Sequence, residues 1–344
     1  MGPAEVPPDW DPDAPREPVV LAVPRSESDA LFATPPLQQA LVAPAAALAC
    51  AVSALSFALS AFLLEPGFAE ELAKAGQEGG SEGARALVDR ATAIALGLAG
   101  LQFAHDLGHV GGALKTRTKI GLPVLVPSLQ TGLFGSITPL RSHPRSRNDL
   151  FDVAASGPLA GALASLAALA YGCAATGAGA AGAQWPMVPT ALLKSSSLVA
   201  TAALALCPDA LEGLTAAVHP CVLAGYVGVT INALNLLPVG RLDGGRMAQA
   251  LAGPTGAARA ASAFTLLALG LASLTSDSDL YFFFGLFAAL VQGRPEPACR
   301  DELTPVSQAR VVAANAAVVF VFAALLPLPA GLDPFPSAFG SGVL

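Results

Sequence analysis

Long runs of apolar residues, separated by polar stretches, organise this chain of 344 residues. The first run, residues 40–64, holds 25 residues without a charge. Such a run is long enough for one helical crossing of a hydrocarbon core about 30 Å thick. Six further apolar runs follow it, at residues 91–114, 150–172, 222–239, 256–275, 280–292 and 311–328. The pattern therefore predicts an all-α polytopic membrane protein with seven transmembrane helices.

Two other apolar segments are not predicted to cross the membrane. Residues 120–137 are interrupted by three glycines and two prolines and are rich in β-branched residues, which favours a hairpin or a re-entrant loop. Residues 185–207 are apolar enough to cross, but they hold Lys194 and three consecutive serines. If this second segment does not cross, fourteen of the eighteen Lys and Arg residues lie on one side, whereas a crossing divides them eight to ten. Because basic residues gather on the side that is not translocated, we predict that 185–207 is interfacial or re-entrant.

The chain divides into a long membrane domain and two tails. Residues 1–36 are rich in proline and carry seven acidic residues against two arginines, which predicts a disordered acidic tail. Their composition is not that of an organellar transit peptide or a secretory signal. Residues 37–330 are predicted to form the membrane domain, with its core at 90–253, and residues 331–344 form a C-terminal tail.

Composition narrows the class of protein further. Hydrophobic residues make up 53% of the chain and charged residues only 12%, about half the charged share of a soluble domain. The net charge of −7 and the scarcity of basic residues exclude a nucleic-acid partner. The five cysteines form no C-x-x-C pair, so they indicate neither a disulfide framework nor a thiolate metal site. The partner that the composition implies is the lipid bilayer.

Ionisable residues inside an apolar run are candidates for function, because they are costly in a membrane. The run at 91–114 contains His105, Asp106 and His109. Two histidines four residues apart lie on the same face of a helix and can hold one zinc ion. The residue after the first histidine then lies beside the metal, where H-E-x-x-H metalloproteases place their general base. The alternative interpretation is a pair of helical histidines that hydrogen-bond inside a helix bundle.

A catalytic zinc site needs a third protein ligand and an open position. Asp243 provides a carboxylate where a second apolar run ends, and the two glycines after it allow a sharp turn that directs it inward. In the alternative interpretation, Asp243 ends an ordinary helix and pairs with Arg241 or Arg246. Both polar clusters lie near the C-terminal ends of their helices, so these helices must run in the same direction to share a metal. That requirement agrees with a segment 185–207 that does not cross.

Taken together, these motifs resemble the site-2 protease family of intramembrane zinc metalloproteases. The resemblance covers about residues 90–330 and is carried by His105-Asp106-x-x-His109, Ser156-Gly157-Pro158-x-x-Gly161 and Asn235-x-x-Pro238-x-x-x-Leu242-Asp243-Gly244-Gly245. Other motifs resemble the plastid and cyanobacterial branch of that family, which is named for ethylene-dependent gravitropism-deficient and yellow-green plants. They are Val126-Pro127-Ser128, Gly132-x-Phe134-Gly135-Ser136-Ile137-Thr138, His219-Pro220 and Arg294-Pro295-Glu296-x-x-Cys299.

The resemblance implies a role for each matching residue. His105, His109 and Asp243 would be zinc ligands, and Asn235 would orient the substrate or stabilise the oxyanion. Residues 120–138 would form a membrane-embedded β-loop that presents an unwound segment of a transmembrane protein substrate. The implied activity is zinc-dependent endoproteolysis within or near transmembrane segments. The implied location is a chloroplast membrane, either thylakoid or envelope, and no oligomeric state is implied.

The chain departs from the family at one position, because the family's general base is glutamate and this chain has Asp106. A carboxylate remains, but its reach is shorter by one C–C bond, about 1.5 Å. This difference leaves a second hypothesis, a weak or inactive pseudoprotease that binds membrane clients, and the branch includes members with a broken metal motif. A third hypothesis is an ion or proton transporter, in which intramembrane His and Asp residues act as a relay.

Overall fold

The computed structural model describes residue 32 and residues 36–77, 82–179, 185–253, 256–275 and 279–328. The two predicted tails lie outside these described residues, except for Phe32 and Pro36. Phe32 contacts the membrane domain, since its carbonyl oxygen accepts a hydrogen bond from Nη1 of Arg141 at 2.8 Å. The boundaries of the tails therefore stay predictions.

Within the described residues, the chain forms eleven α-helices and two small antiparallel sheets. In chain order, the helices are α1 (Pro36–Ser60), α2 (Phe68–Gln77), α3 (Glu82–Thr116), α4 (Arg147–Gly177), α5 (Thr190–Lys194), α6 (Ser197–Leu206), α7 (Pro220–Asn235), α8 (Asp243–Ala252), α9 (Ala257–Thr275), α10 (Leu280–Phe287) and α11 (Gln308–Leu325). The strands are β1 (Val124–Ser128), β2 (Gly132–Ile137), β3 (Met187–Pro189) and β4 (Thr215–Ala217). The mostly helical architecture confirms the predicted class.

Five helices are long and apolar enough to cross a membrane: α1, α3, α4, α9 and α11. Helix α7 has only 16 residues, and α10 continues into a π-helical turn, Ala288–Gln292, to give an apolar segment at 280–292. Both are shorter than a helix that spans a bilayer alone. The count of seven spans therefore stays a prediction.

Helices α3, α4 and α7 form the centre of the molecule. The end of α3 lies beside the start of α4, where Nζ of Lys115 is 3.2 Å from Oδ2 of Asp152. The end of α4 lies beside the start of α7, where the backbone N–H of His219 donates to Oγ1 of Thr176 at 3.0 Å. Helices α3 and α7 therefore run in the same direction, as the predicted metal site requires.

Small residues allow these three helices to approach closely. A Cβ atom at Gly225 of α7 would lie 2.6 Å from the backbone nitrogen of Leu169 in α4. A Cβ atom at Gly108 of α3 would lie 2.8 Å from Cβ of Ala160 in α4. Glycine is required at both positions because any side chain would push the backbones apart, as in other membrane helix pairs.

The predicted hairpin at 120–137 is confirmed. Strands β1 and β2 pair from Val124 opposite Ile137 to Ser128 opposite Gly132, with an irregularity after Val126. The hairpin lies between α1 and α7: Oγ of Ser53 donates to the carbonyl of Gly132 at 2.6 Å, and Nδ2 of Asn235 donates to that of Phe134 at 3.1 Å. These bonds satisfy backbone groups that lipid would leave unpaired.

The ambiguous segment 185–207 forms no helix of spanning length. It divides into β3, α5 and α6. Ser196 is the N-cap of α6, since its Oγ accepts a hydrogen bond from the N–H of Val199 at 3.3 Å. The segment lies at the C-terminal end of α11, since the N–H of Ser197 donates to the carbonyl of Leu326 at 2.7 Å. This arrangement agrees with the prediction that the segment does not cross.

Three segments that carry basic residues, at 115–119, 141–147 and 294–300, lie together. The N–H of Arg141 donates to the carbonyl of Lys119 at 2.7 Å, and the N–H of Arg300 donates to that of Pro144 at 2.9 Å. The linker before α11 therefore folds back over the start of α4. It also carries Glu296 into the interior, where this side chain is buried.

Candidate metal centre

Three buried side chains converge from two helices. His105 and His109 lie one turn apart on α3, and Asp243 is the first residue of α8. Oδ2 of Asp243 lies 3.4 Å from Nε2 of His105, and Oδ1 lies 3.4 Å from Nε2 of His109. The predicted ligands are therefore brought together, and their ligand atoms all lie within 4.8 Å of one another.

Asp243 reaches this position through a turn that the apolar pattern did not show. The sequence placed it at the end of the run 222–239, but α7 ends at Asn235 and Asp243 begins a new helix. Gly240 has a φ of +45°, and a Cβ at Gly244 or Gly245 would overlap backbone carbonyl groups of residues 236–240. The glycines allow α8 to start directly against the end of α7, and the carboxylate then points at α3.

The hydrogen bonds of the two imidazoles fix their tautomers. Nδ1 of His109 lies 2.9 Å from the carbonyl oxygen of Val153, which is only an acceptor. Nδ1 of His105 lies 2.9 Å from Oδ1 of Asn232, whose amide nitrogen donates to the carbonyl of Gly228 at 2.8 Å. Both Nδ1 atoms must therefore carry the proton. Nε2 of each ring is then directed at the centre, where a neutral imidazole offers its lone pair to a metal.

The spacing of the donor atoms fits one tetrahedral metal ion. The two Nε2 atoms are 3.1 Å apart, and each is 3.4 Å from a carboxylate oxygen. A zinc ion with bonds of about 2.0–2.1 Å holds its tetrahedral ligands about 3.3–3.4 Å apart. Two lone pairs and a carboxylate that face one another in a buried site repel unless a metal ion or a proton lies between them. The donor set of two imidazoles and one carboxylate is that of catalytic zinc sites.

Asp106 lies beside the centre but outside the ligand set. Its Oδ1 accepts hydrogen bonds from Oγ of Ser136 at 2.6 Å and from Nε2 of Gln102 at 2.9 Å. Within the part of the chain that the structure describes, no hydrogen bond reaches its Oδ2. Asp106 also lines an open cavity of about 490 Å³ between α3 and the base of the hairpin. The carboxylate is therefore held in place and faces a space that another molecule can enter.

Asn235 is buried near the centre, but its donors are engaged. Its Nδ2 donates to the carbonyl of Phe134 in β2 at 3.1 Å and to that of Ile231 at 3.0 Å. In this structure, Asn235 fixes the hairpin against α7. Its predicted contact with substrate or oxyanion stays a prediction, and it requires the amide to exchange one of these bonds.

The alternative pairing of Asp243 with an arginine is present only at long range. Nη1 of Arg246 lies 3.8 Å from Oδ1 of Asp243. The shorter contacts of Arg246 are with Oε1 of Glu296, at 2.9 Å from Nε and 2.6 Å from Nη2. Glu296 also lies 3.7 Å from Nε of Arg241. The buried glutamate thus engages the arginines, and the carboxylate of Asp243 stays directed at the histidines.

Several of these partners carried no predicted role. Gln102 lies one helical turn before Asp106, a spacing that the sequence does show. Asn232 is a polar residue in the apolar run at 222–239, and its partner His105 lies 127 positions away. Ser136 and the carbonyl of Val153 reach the site only through the packing of the hairpin and of α4, so no local pattern could have identified them.

The comparisons with known proteins agree with this geometry. A sequence model of peptidase family M50 matches residues 93–276, more than half of the chain. A protein of Arabidopsis thaliana named "Probable zinc metalloprotease EGY1, chloroplastic" is 34% identical over 242 residues, which cover 70% of this chain and 44% of the relative. "Probable zinc metalloprotease EGY2, chloroplastic" of Oryza sativa subsp. japonica is 33% identical over 232 residues, which cover 67% and 41%.

A third relative is similar over a shorter region. "Probable zinc metalloprotease EGY3, chloroplastic" of Oryza sativa subsp. japonica is 42% identical over 132 residues, 38% of this chain and 22% of that protein. The chain thus spans less than half the length of each of these relatives. No solved structure matches the chain significantly.

Proposed function

The chain belongs to peptidase family M50, and from that premise we propose that it is a zinc-dependent endopeptidase acting on membrane proteins. The cleavage takes place within or beside a transmembrane segment of the substrate. The observation that carries this proposal is the convergence of His105, His109 and Asp243, with both Nε2 lone pairs and the carboxylate directed at one point. A proton relay needs no such set of three converging metal-donor groups, so the geometry favours a metalloprotease over a transporter.

His105, His109 and Asp243 would hold the zinc ion. When bound, zinc acts as a Lewis acid that activates water and polarises a carbonyl oxygen. The bonds from Asn232 and Val153 keep both rings in the correct tautomer and orientation before the metal arrives. Partners of this kind typically change metal affinity by about 10–100-fold.

Asp106 is the proposed general base. Its carboxylate takes a proton from the attacking water and returns it to the leaving nitrogen, so the carboxylate ends the cycle unchanged. Ser136 and Gln102 hold one oxygen of Asp106, which leaves the other oxygen for the water. The aspartate is shorter than the family's glutamate, and these two bonds support the proposal that its surroundings are adapted to an aspartate.

The hairpin is the proposed site of substrate presentation. A peptide inside a helix hides its carbonyl groups in its own hydrogen bonds, so a transmembrane substrate must unwind before cleavage. Strand β2 is joined to Asp106 through Ser136 and to α7 through Asn235, so a segment laid along the hairpin lies beside the general base. Asn235 is the proposed contact for the substrate backbone or the oxyanion.

The location is inferred from the relatives. All three relatives described above are named as chloroplastic, and five helices of this chain can cross a membrane. We infer a multi-pass protein of a chloroplast membrane, thylakoid or envelope.

A second candidate function is favoured by Asp106 itself. If the shorter carboxylate does not reach the water, the protein binds zinc and membrane clients without cleaving them. A non-catalytic protein of this kind would have the same metal centre and hairpin, so only a cleavage assay separates the two functions.

The test is cleavage of a single-span client reconstituted with the purified protein. Wild type, Asp106→Asn and Asp106→Glu are compared at equal zinc occupancy, with and without a chelator. We expect wild type to cleave, the chelator to stop cleavage, and Asp106→Asn to lose activity by about 10²–10⁴-fold while it keeps zinc. Because Ser136 and Gln102 hold an aspartate, Asp106→Glu should be slower than wild type, by up to about 100-fold for a shift of about 1 Å.

The outcomes divide the two candidates. Equal inactivity of all three proteins, with client binding retained, would establish the non-catalytic function. Equal cleavage by wild type and Asp106→Asn that resists the chelator would refute the zinc-protease mechanism.

A further inference from the structure

Glu296 is a buried carboxylate that the proposed mechanism does not use. It lies in the linker before α11 and is only 8% exposed. Its Oε1 accepts hydrogen bonds from Nε of Arg246 at 2.9 Å and from Nη2 at 2.6 Å. Removing one partner of a buried ion pair leaves the other charge uncompensated, so each of these two groups depends on the other.

Arg246 brings a positive charge beside the metal centre. It lies three positions after the proposed ligand Asp243 on α8 and is itself only 3% exposed. Its Nη1 is 3.8 Å from Oδ1 of Asp243, and in the described part of the chain Asp243 and Glu296 are the carboxylates that the guanidinium contacts. Its Nη2 also donates to the carbonyl of Thr138 at 2.9 Å, so the arginine ties α8 to the end of the hairpin.

A positive charge at this place opposes zinc binding in two ways. The guanidinium can take the carboxylate of Asp243 as its own partner, and it repels a metal cation across a short distance that burial leaves poorly screened. Glu296 counters both effects, because it holds the Nε and Nη2 edge of the guanidinium and neutralises its charge.

The linker is held on α8 by a contact that does not involve the side chain of Glu296. Nε2 of Gln249 donates to the backbone carbonyl of Glu296 at 3.0 Å, and Oε1 of Gln249 accepts from its backbone N–H at 3.0 Å. A change of the Glu296 side chain therefore leaves this docking in place.

We propose that Glu296 is a positioning residue for the metal centre. It engages Arg246 and thereby keeps the carboxylate of Asp243 available to zinc. The inference rests on the proposed function, because it assigns to that centre a zinc ion held by Asp243. The affinity for zinc is then controlled in part from a linker that follows Arg246 by fifty positions.

The test is a zinc titration of metal-free, full-length protein against a fluorescent chelator. Glu296→Gln keeps the size of the side chain and removes its charge, and it should lower zinc affinity by about 10–100-fold, as the loss of a partner behind a metal ligand typically does. Glu296→Asp keeps the charge at a greater distance and should lose less. Glu302→Gln is the matched control on the same linker, because Oε1 of Glu302 accepts from the backbone of Cys299 instead.

Removal of the arginine separates this role from a merely structural one. In an Arg246→Gln background, the further change Glu296→Gln should alter zinc affinity by no more than about 2-fold, since the competing charge is gone. A residue that only stabilised the fold would cause a loss of affinity in both backgrounds. If Glu296→Gln does not fold, Glu296→Asp is compared in the same two backgrounds.

The outcomes distinguish this proposal from the proposed protease function. Zinc affinity of Glu296→Gln equal to that of wild type, or a loss of equal size with and without Arg246, would overturn the positioning role alone. A wild type that binds zinc but cleaves no client would refute the protease function and leave the titration as evidence for the positioning role. A wild type that binds no zinc would overturn both.

Discussion

The central helices and the outer helices of this protein use the same apolar residues for different purposes. Thirteen of the sixteen residues of α7 are buried, including Asn232 and Asn235. Only two of the nineteen residues of α9 are buried, and its outward surface carries leucines such as Leu274, which is 82% exposed. Helix α7 is enclosed by protein, whereas α9, which is long and apolar enough to cross a membrane, exposes most of its residues. In the region enclosed by protein, polar side chains such as Asn232 and Asn235 find hydrogen-bond partners.

This contrast predicts that the effect of a substitution depends on whether the residue is enclosed by protein, and not on the hydropathy of the helix that carries it. A variant at the centre should alter metal binding or packing, and a matched variant on the outer helices should not. The three predictions below compare such pairs, beginning with the largest effect.

Removing a ligand should remove the metal. Purified wild type should hold about one zinc ion per chain, and His105→Ala or Asp243→Ala should lose most of it, because three protein ligands hold a catalytic zinc. Asp279→Ala is the matched carboxylate variant, since Asp279 is exposed before α10. Zinc is measured by metal analysis after dialysis. Full retention of zinc in both ligand variants would refute the assignment of the centre.

Removing a partner of a ligand should weaken the centre without abolishing it. Asn232→Ala leaves Nδ1 of His105 without its acceptor, so zinc affinity should fall by about 10–100-fold. Asn315→Ala is the matched control, because Asn315 is an exposed asparagine on α11. Competition with a fluorescent chelator measures both affinities. If the two variants bind zinc equally well, Asn232 does not orient the ligand.

The smallest effect concerns packing alone. Gly225→Ala introduces a Cβ only 2.6 Å from the backbone of α4, and the resulting strain should lower the free energy of unfolding by about 1–3 kcal/mol. Gly270→Ala on α9 meets nothing within 4 Å, so its free energy of unfolding should be unchanged or higher by up to about 1 kcal/mol. Unfolding in mixed micelles with increasing denaturing detergent measures both. Equal free energies of unfolding for the two variants would mean that α4 and α7 can move apart without a loss of stability.

The sequence was most informative where spacing within one element defines a site. The interval between His105 and His109 predicted a shared helical face, and the interrupted run before Thr138 predicted the hairpin. It was less informative about helix ends, because the apolar run at 222–239 continues past Asn235 into a turn. Hydropathy alone does not distinguish a helix that crosses lipid from a shorter one enclosed by protein.

Contacts between distant segments could not be predicted from local patterns. Glu296 was visible only as part of a motif in a polar linker, but the structure buries it against Arg246, fifty positions earlier. The linker had to fold over α8 for this pair to form. The hydrogen bond from Ser136 to Asp106 could not be predicted either, because the fold of the hairpin is what brings Ser136 to α3.

The contact between Gly157 and His109 has a consequence for how this sequence can change over time. A Cβ atom at position 157 would occupy the space of the His109 ring. The residue allowed at position 157 therefore depends on the residue at position 109. A lineage that keeps the histidine cannot fill position 157, and a lineage that loses the histidine gains a gap that a larger residue can fill. In an alignment of related sequences, bulky residues at position 157 should occur only where position 109 is no longer histidine. Such covariation would identify the sequences that have lost this metal ligand.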